Sequence, residues 1–205
     1  MKNSQAANLI YIGVNNVAWH AGHKNTTRQR ILSSAAKLFA LNGYEQVGIN
    51  SVMAEAGLTR GAFYSHFKSK SELYAEAVLN SASKIGTTFL NTSAETFVKT
   101  YLSTMHREGE FVRCPLAFMV TDITQRDSQV RDAYTKVFKG FVNRLTELDT
   151  KPHSQGEPEI KSEQEMTQAL QKAVLLIGGM AISRAINDDE LADRLLTACQ
   201  SKLLG

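Results

Sequence analysis

Proline, cysteine and long apolar runs are all scarce in this 205-residue chain, and each scarcity excludes something. Three prolines in the whole sequence leave long stretches free to be helical. The two cysteines, Cys114 and Cys199, are too far apart to suggest a disulfide framework or a zinc-finger spacing. A reducing cytoplasm is the compartment they fit. No apolar stretch approaches the roughly 20 residues of a membrane-spanning helix, so no membrane partner is expected. Strand-like alternation, internal repeats and low-complexity tracts are missing. So are a phosphate-binding glycine loop, a nucleophile elbow, a zinc-protease motif and a paired-carboxylate pattern, which removes the commonest signs of an enzyme. No cofactor or metal is called for. His20 and His23, without further ligands, read as solvated.

What is present is a hydrophobic fraction of 43%, enough for a core, and an uneven charge distribution behind the net +3. Residues 24–84 hold eight Lys/Arg against four Asp/Glu, whereas residues 85–205 hold fourteen against sixteen. A basic front and a mildly acidic rear fit a nucleic-acid contact confined to the front.

Residues 1–23 do not read as a signal peptide, because Asn15 and Asn16 interrupt the apolar Leu9–Ile12 stretch. They are expected to be a poorly ordered leader, native or the product of an upstream start codon. A first helix over 27–42, capped by Thr26 or Thr27, places Ile31, Ala35, Leu38 and Phe39 on one face and stops at Gly43. A short second helix starts at Asn50 as its cap and buries Val52, Met53 and Ala56. Gly57 makes a turn, and a third short helix covers 59–66 with Thr59 as cap and Phe63 and Phe67 as anchors. Ser69 and Glu72 form a capping box at the head of a fourth helix, whose inward face is Leu73, Ala77 and Val78. Two short helices joined by a glycine turn make a helix-turn-helix, whose second helix is shaped for a DNA major groove.

Longer helices follow. One is expected over 95–107, one from Pro115 through Phe118 and Val120, one over 128–148, and two more over 162–186 and 188–204. Residues 150–160 are an internal loop. The expected layout is all-α: a leader at 1–23, a DNA-binding domain at 24–70 and a larger helical domain at 71–205.

The run Ala56-Gly57-Leu58-Thr59-Arg60-Gly61, followed by Phe63-Tyr64-Ser65-His66-Phe67-Lys68-Ser69-Lys70, resembles the TetR/AcrR family of bacterial transcriptional regulators. The match extends over 28–78. In the rear half, Gly178-Gly179-Met180-Ala181-Ile182-Ser183-Arg184-Ala185 followed by Asp189-Glu190-Leu191 is similar to the family's closing helices, and Cys114-Pro115-Leu116 to a segment of one subgroup. One departure is Ile49, where many members open the second helix with Thr or Ser. The resemblance implies about nine helices, a homodimer on a palindromic double-stranded operator, repression, and release by a small-molecule inducer, apolar or aromatic, held in the rear domain.

By that resemblance Tyr64, His66 and Lys70 are the phosphate-contacting set, with Arg28 clamping the same strand and Asn50 opening the second helix. Thr59, Arg60, Gly61 and Ala62 face the bases. Arg60 leads, because a guanidinium can bond guanine O6 and N7 together. The inducer would sit among Phe89, Phe97, Tyr101, Met105, Phe111, Cys114, Phe118, Met119, Phe138 and Phe141, with His106, Arg107 or Arg113 as a polar contact. The dimer would form through Val174, Ile177, Gly178, Ala181, Leu195, Leu196 and Cys199, where small residues permit close helix approach.

Cys114 adds an alternative: it stands before Pro115 at a helix start and beside Arg113, which could lower its thiol pKa and make it a redox or electrophile sensor. An enzyme with an ornamental helix-turn-helix, or an interaction protein that has lost DNA binding, are the remaining alternatives.

Overall fold

The computed structural model of the protein describes residues 17–89, 92–110, 113–149 and 162–205, and all secondary structure among them is helical. The expected leader (apart from the backbone from Val17 on), Phe111 and the 150–160 loop lie outside the described residues.

Among the described residues there are eleven helical segments, against about nine expected. The first, α1, spans Val17–Gln46, but Gly43 inside it has φ 74° and ψ 169°, so the helix proper stops where a residue without Cβ allows it. Its start lies ahead of the expected one. Thr26 and Thr27 are therefore interior positions, not caps, and Thr27 is buried. Next come α2 (Ile49–Glu55) and α3 (Arg60–Phe63). Gly48, not Asn50, holds the N-cap of α2, and neither Gly48 nor Thr59 caps through a side chain. The third helix is shorter than expected; after Phe63 the chain continues as hydrogen-bonded turns, with His66 N–H donating to the Phe63 carbonyl at 2.9 Å.

The fourth helix, α4, spans Lys70–Thr88. Ser69 Oγ accepts from Glu72 N–H at 3.0 Å as expected. The reciprocal arm is shifted by one residue: Glu72 accepts from Lys68 N–H at 2.5 Å. The expected single helix over 95–107 is two, α5 (Ala94–Tyr101) and α6 (Thr104–Arg107). Leu102 leaves helical geometry and Ser103 caps a new start by accepting from His106 N–H, while Gln200 donates to the freed Leu102 carbonyl at 2.9 Å. A second break at Met119 (φ −119°, ψ 2°) separates α7 (Pro115–Phe118) from α8 (Val120–Ile123). The rest follow the periodicity: α9 (Ser128–Asp149), α10 (Glu163–Ala185) with a full capping box at Ser162 and Glu165, and α11 (Asp189–Leu204) capped by Asp188.

Packing runs through α4, which lies against α1 on one side and α9 on the other. Ile31, Ala35 and Phe39 of α1, Val52 and Met53 of α2, Phe63, Phe67, and Leu73, Ala77 and Val78 of α4 are buried together. That set packs α1 to α4 together, and it fixes which face of α3 is left outside. In the rear, α10 packs on α9 and α11, burying Ala173, Leu176, Ile177 and Met180.

Candidate nucleic-acid interface and internal cavity

Gly57, with φ +64°, sits between α2 and α3, and a Cβ there would come within 3.0 Å of Arg30 Nη2. Arg30 uses that nitrogen to donate to the Ala56 carbonyl at 2.6 Å, satisfying an acceptor that the end of α2 leaves open. The turn is thus locked from α1. With Phe63 and Phe67 wholly inside, α3 turns the opposite face outward: Thr59, Arg60, Gly61 and Tyr64 are all exposed, and Ala62 is half-buried. Tyr64, at 60% exposure, packs edge-on against Phe63 with ring centroids 5.1 Å apart, so its ring is steadied while its hydroxyl faces solvent. Gly61 has open space where a Cβ would stand.

The expected phosphate contacts are placed less uniformly. Nδ1 of His66 is buried without a hydrogen-bond partner among the described residues. Burial, helped by the positive charges of Lys24 and Arg28, holds this imidazole below the usual histidine range. Lys70 lies at the start of α4, but its ammonium sits 4.0 Å from the centroid of the Tyr44 ring and burial lowers its pKa. Arg28 is ion-paired with Glu76 and lies over the Phe67 ring at 4.8 Å. Its guanidinium therefore bridges α1 and α4 rather than standing free as a clamp. Asn50 is exposed on α2.

A polar node that the sequence does not announce joins this front domain to the rest. Asp122 of α8 accepts from Tyr44 N–H at 2.9 Å and from Tyr74 O–H at 2.8 Å. Burial, then the Asp122 carboxylate, drives the Tyr74 hydroxyl pKa far upward. Arg126 pairs with Glu45 at 2.6 Å and lies over the Tyr44 ring at 4.3 Å, while Asp127 accepts from Ser71. Phe39, Tyr44 and Tyr74 meet in edge-on and stacked contacts with centroids 4.6–5.9 Å apart. The partners are up to 81 residues apart in sequence, so no local pattern could have shown them.

Behind that node lies a cavity of about 350 Å³ between α4, α5, α7 and α9. Of the expected lining residues, Phe89, Phe97, Cys114 and Phe141 line it. Tyr101, Phe118, Met119 and Phe138 do not; the first three are buried core and Phe138 is half-buried against it. Met105 is 57% exposed, because the break at Leu102 rotates α6 away from the face that a continuous helix would present. Most of the residues missed are on α4 and α9, among them Leu79, Ile85, Gly86, Lys136, Gly140 and Arg144, with Pro115 and Leu116 on α7.

Cys114 is buried, and burial pushes its thiol up, not down. The helix it precedes has only four residues. Tyr101 O–H donates to Sγ at 3.3 Å, and the Cys114 backbone N–H donates to His106 Nε2 at 3.3 Å. His106 therefore carries its proton on Nδ1, which donates to the Tyr101 carbonyl at 2.6 Å. Burial holds this histidine's pKa below the usual range. Its ring stacks on Phe118, which also carries the Arg184 guanidinium at 3.6 Å. Arg107 is tied to Glu108, Asp189 and Asp193 across to α11. Neither His106 nor Arg107 lines the cavity.

The residues proposed for self-association divide. Ile177, Leu196 and Cys199 are buried within the chain, where α10 and α11 pack on one another and on α5. Gly178, Ala181 and Leu195 are half-buried, and Val174 is 67% exposed. Leu170, Val174 and Ile182 form an exposed apolar stripe along α10, passing over the open Gly178, with Leu191 exposed on α11.

Residues 31–77 match the model of the bacterial regulatory proteins of the tetR family. The chain is 45% identical over 60 residues to the HTH-type transcriptional regulator AcrR of Shigella flexneri. Residues 31–77 are thus similar to the DNA-binding segment of the tetR family. The AcrR match covers 29% of this chain and 28% of AcrR, so that likeness spans under a third of either protein. Farther along, the uncharacterized HTH-type transcriptional regulator YfiR of Bacillus subtilis is 27% identical over 143 residues, 66% of this chain and 69% of YfiR. The rear half is TetR-like in fold: the reduced form of NemR from E. coli superposes with a TM-score of 0.68 over 87% of this chain and 95% of NemR at 15% identity. A TetR regulator from Chloroflexus aurantiacus J-10-FL gives 0.65 over 89% and 94% at 21% identity. Among the described residues no helix is long and apolar enough to cross a membrane, and no group of three metal-ligating side chains exists.

Proposed function

We propose that this chain is a transcriptional regulator that binds a palindromic operator as a homodimer and represses until a small apolar molecule enters its rear domain. The observation that carries this reading is the outward face of α3, where Arg60, Gly61 and Tyr64 stand exposed above a fully buried Phe63–Phe67 anchor. Arg60 reads bases, Gly61 and Ala62 allow close approach, and Tyr64 with His66 positions the backbone. Lys70 contributes its charge from a site braced on Tyr44, and Arg28 orients α1 against α4. One such head offers few base contacts; a second copy doubles them and sets the half-site spacing. The apolar stripe of α10 and Leu191 of α11 form the dimer contact.

Coupling runs along α4. Its first turns are held by the Asp122 node, and its last turns line the cavity. An occupant that favours one position of α4 shifts the spacing of the two reading heads and lowers operator affinity by its difference in affinity for the two states.

The test is fluorescence anisotropy on a labelled inverted repeat from the chain's own upstream region. Arg60→Ala with Tyr64→Ala should weaken operator binding by a factor of a hundred or more, taking about 1–3 kcal/mol for the guanidinium alone, while sedimentation still shows a dimer. Undiminished binding by that variant overturns the reading.

A further inference from the structure

We infer that the occupant of the rear cavity is an apolar molecule carrying one negative charge at its end, held with the charge at the mouth beside Lys136. This rests on the reading of the cavity as the effector site and adds the chemical class that it selects.

The walls are almost wholly hydrocarbon, from Leu79, Ile85 and Phe89 on α4, Phe97 on α5 and Val137 and Phe141 on α9. Two side chains break that pattern, Lys136 and Arg144, and both are cationic; among the described residues no carboxylate lines the cavity. They stand on one stripe of α9 with Gly140 midway, so the cations are two helical turns apart, about 12 Å along the axis. Gly140 and Gly86 face the space with nothing within 4 Å of where a Cβ would be, which leaves the entrance between the cations open.

The two charges are not equivalent. Arg144 donates to the Phe89 carbonyl at 3.1 Å and pairs with Glu147 at 3.3 Å, so it closes the end of α4 and is largely neutralised. Lys136 has no hydrogen-bond or ion-pair partner among the described residues. A buried anion deep in such walls would be expelled, and an ammonium would be repelled at the rim. A chain or ring with a carboxylate at the exposed end satisfies both constraints, because its apolar body replaces water inside and its charge meets Lys136 outside. The volume is a little over twice the ~150 Å³ that accommodates benzene, which corresponds to roughly a dozen heavy atoms.

Isothermal titration calorimetry with three ligands of one tail length, decanoate, decanol and decylamine, each below its micelle concentration, decides the matter. Wild-type protein should bind decanoate about tenfold more tightly than decanol and decylamine most weakly. Lys136→Met keeps the apolar stem, should leave decanol unchanged, and should remove the preference for decanoate. Gly140→Leu should abolish binding of all three by filling the entrance, with thermal melts confirming that the variant is folded. Decanol binding as tightly as decanoate, or a decanoate preference that survives Lys136→Met, overturns the anionic class and leaves the cavity reading standing. Binding that Gly140→Leu does not affect places the ligand elsewhere and overturns the inference. No binding of any of the three overturns it together with the cavity reading.

Discussion

Replacing Asp122 by alanine strikes the contact on which the two halves of the chain depend. The carboxylate accepts from the Tyr44 amide at 2.9 Å and from the Tyr74 hydroxyl at 2.8 Å, and Arg126 Nη2 lies 4.0 Å away. A hydrogen bond to a charged acceptor contributes about 1.5–3 kcal/mol, and a stranded buried donor adds its own desolvation cost. Tyr74 is fully buried, so water cannot reach its hydroxyl, whereas the Asp122 side chain is 22% exposed and the Tyr44 amide can recover part of its loss. The expected cost is about 3 kcal/mol, larger than for Tyr74→Phe, which removes one donor without stranding another and should cost about 1 kcal/mol. Because the two residues share one bond, the double variant should cost clearly less than both single costs added, by about 1–2 kcal/mol. Urea unfolding at one fixed protein concentration measures all three, since self-association would otherwise shift the midpoints. Strict additivity, or a cost below about 1 kcal/mol for Asp122→Ala, would refute the assignment of Asp122 as the joint.

Two adjacent glycines of α10 should behave oppositely. A Cβ on Gly179 would lie 2.8 Å from Cys199 Sγ, so Gly179→Ala should destabilise by about 1–3 kcal/mol in thermal melts. Gly178 is open, so Gly178→Ala should be neutral or stabilising by up to about 1 kcal/mol in the protomer. If the α10 stripe is the dimer contact, the same change weakens association in sedimentation; unchanged association removes Gly178 from that contact. For His106, burial depresses the pKa, against the raising effect of the Tyr101 carbonyl and with Arg184 also lowering it. Stability should therefore be complete above the unfolded value of about 6.5 and decline as pH falls below it. His106→Gln should flatten that decline, leaving the part due to His66, and an identical slope in the variant would show that His106 is not its source.

The sequence by itself determined the parts whose cause is local. Gly43 and Gly57 mark stops because only a residue lacking Cβ sits easily at their positive φ. Ser69, Ser162 and Asp188 mark helix starts because their side chains accept from the amide three residues on. Helical spacing of Ile31, Ala35, Phe63 and Phe67 settled which face of the front domain is buried, and so which residues α3 leaves outside. Tertiary structure decided what depends on distant partners. Arg28 and Lys70 carry the right charge for phosphate, yet Glu76 and Tyr44, brought in from other elements, have engaged them. The head of a helix and a neighbouring arginine suggested a lowered Cys114 thiol; burial under α5 and α7 outweighs both, because removing water from a thiolate costs more than a four-residue helix returns. The apolar residues of α10 and α11 were visible as a set, but only packing separates Ile177, Leu196 and Cys199, which face inward, from Leu170, Val174 and Ile182, which do not. The cavity is the clearest case: it is a gap between four helices, defined by where side chains are small on facing surfaces, and no single segment encodes it.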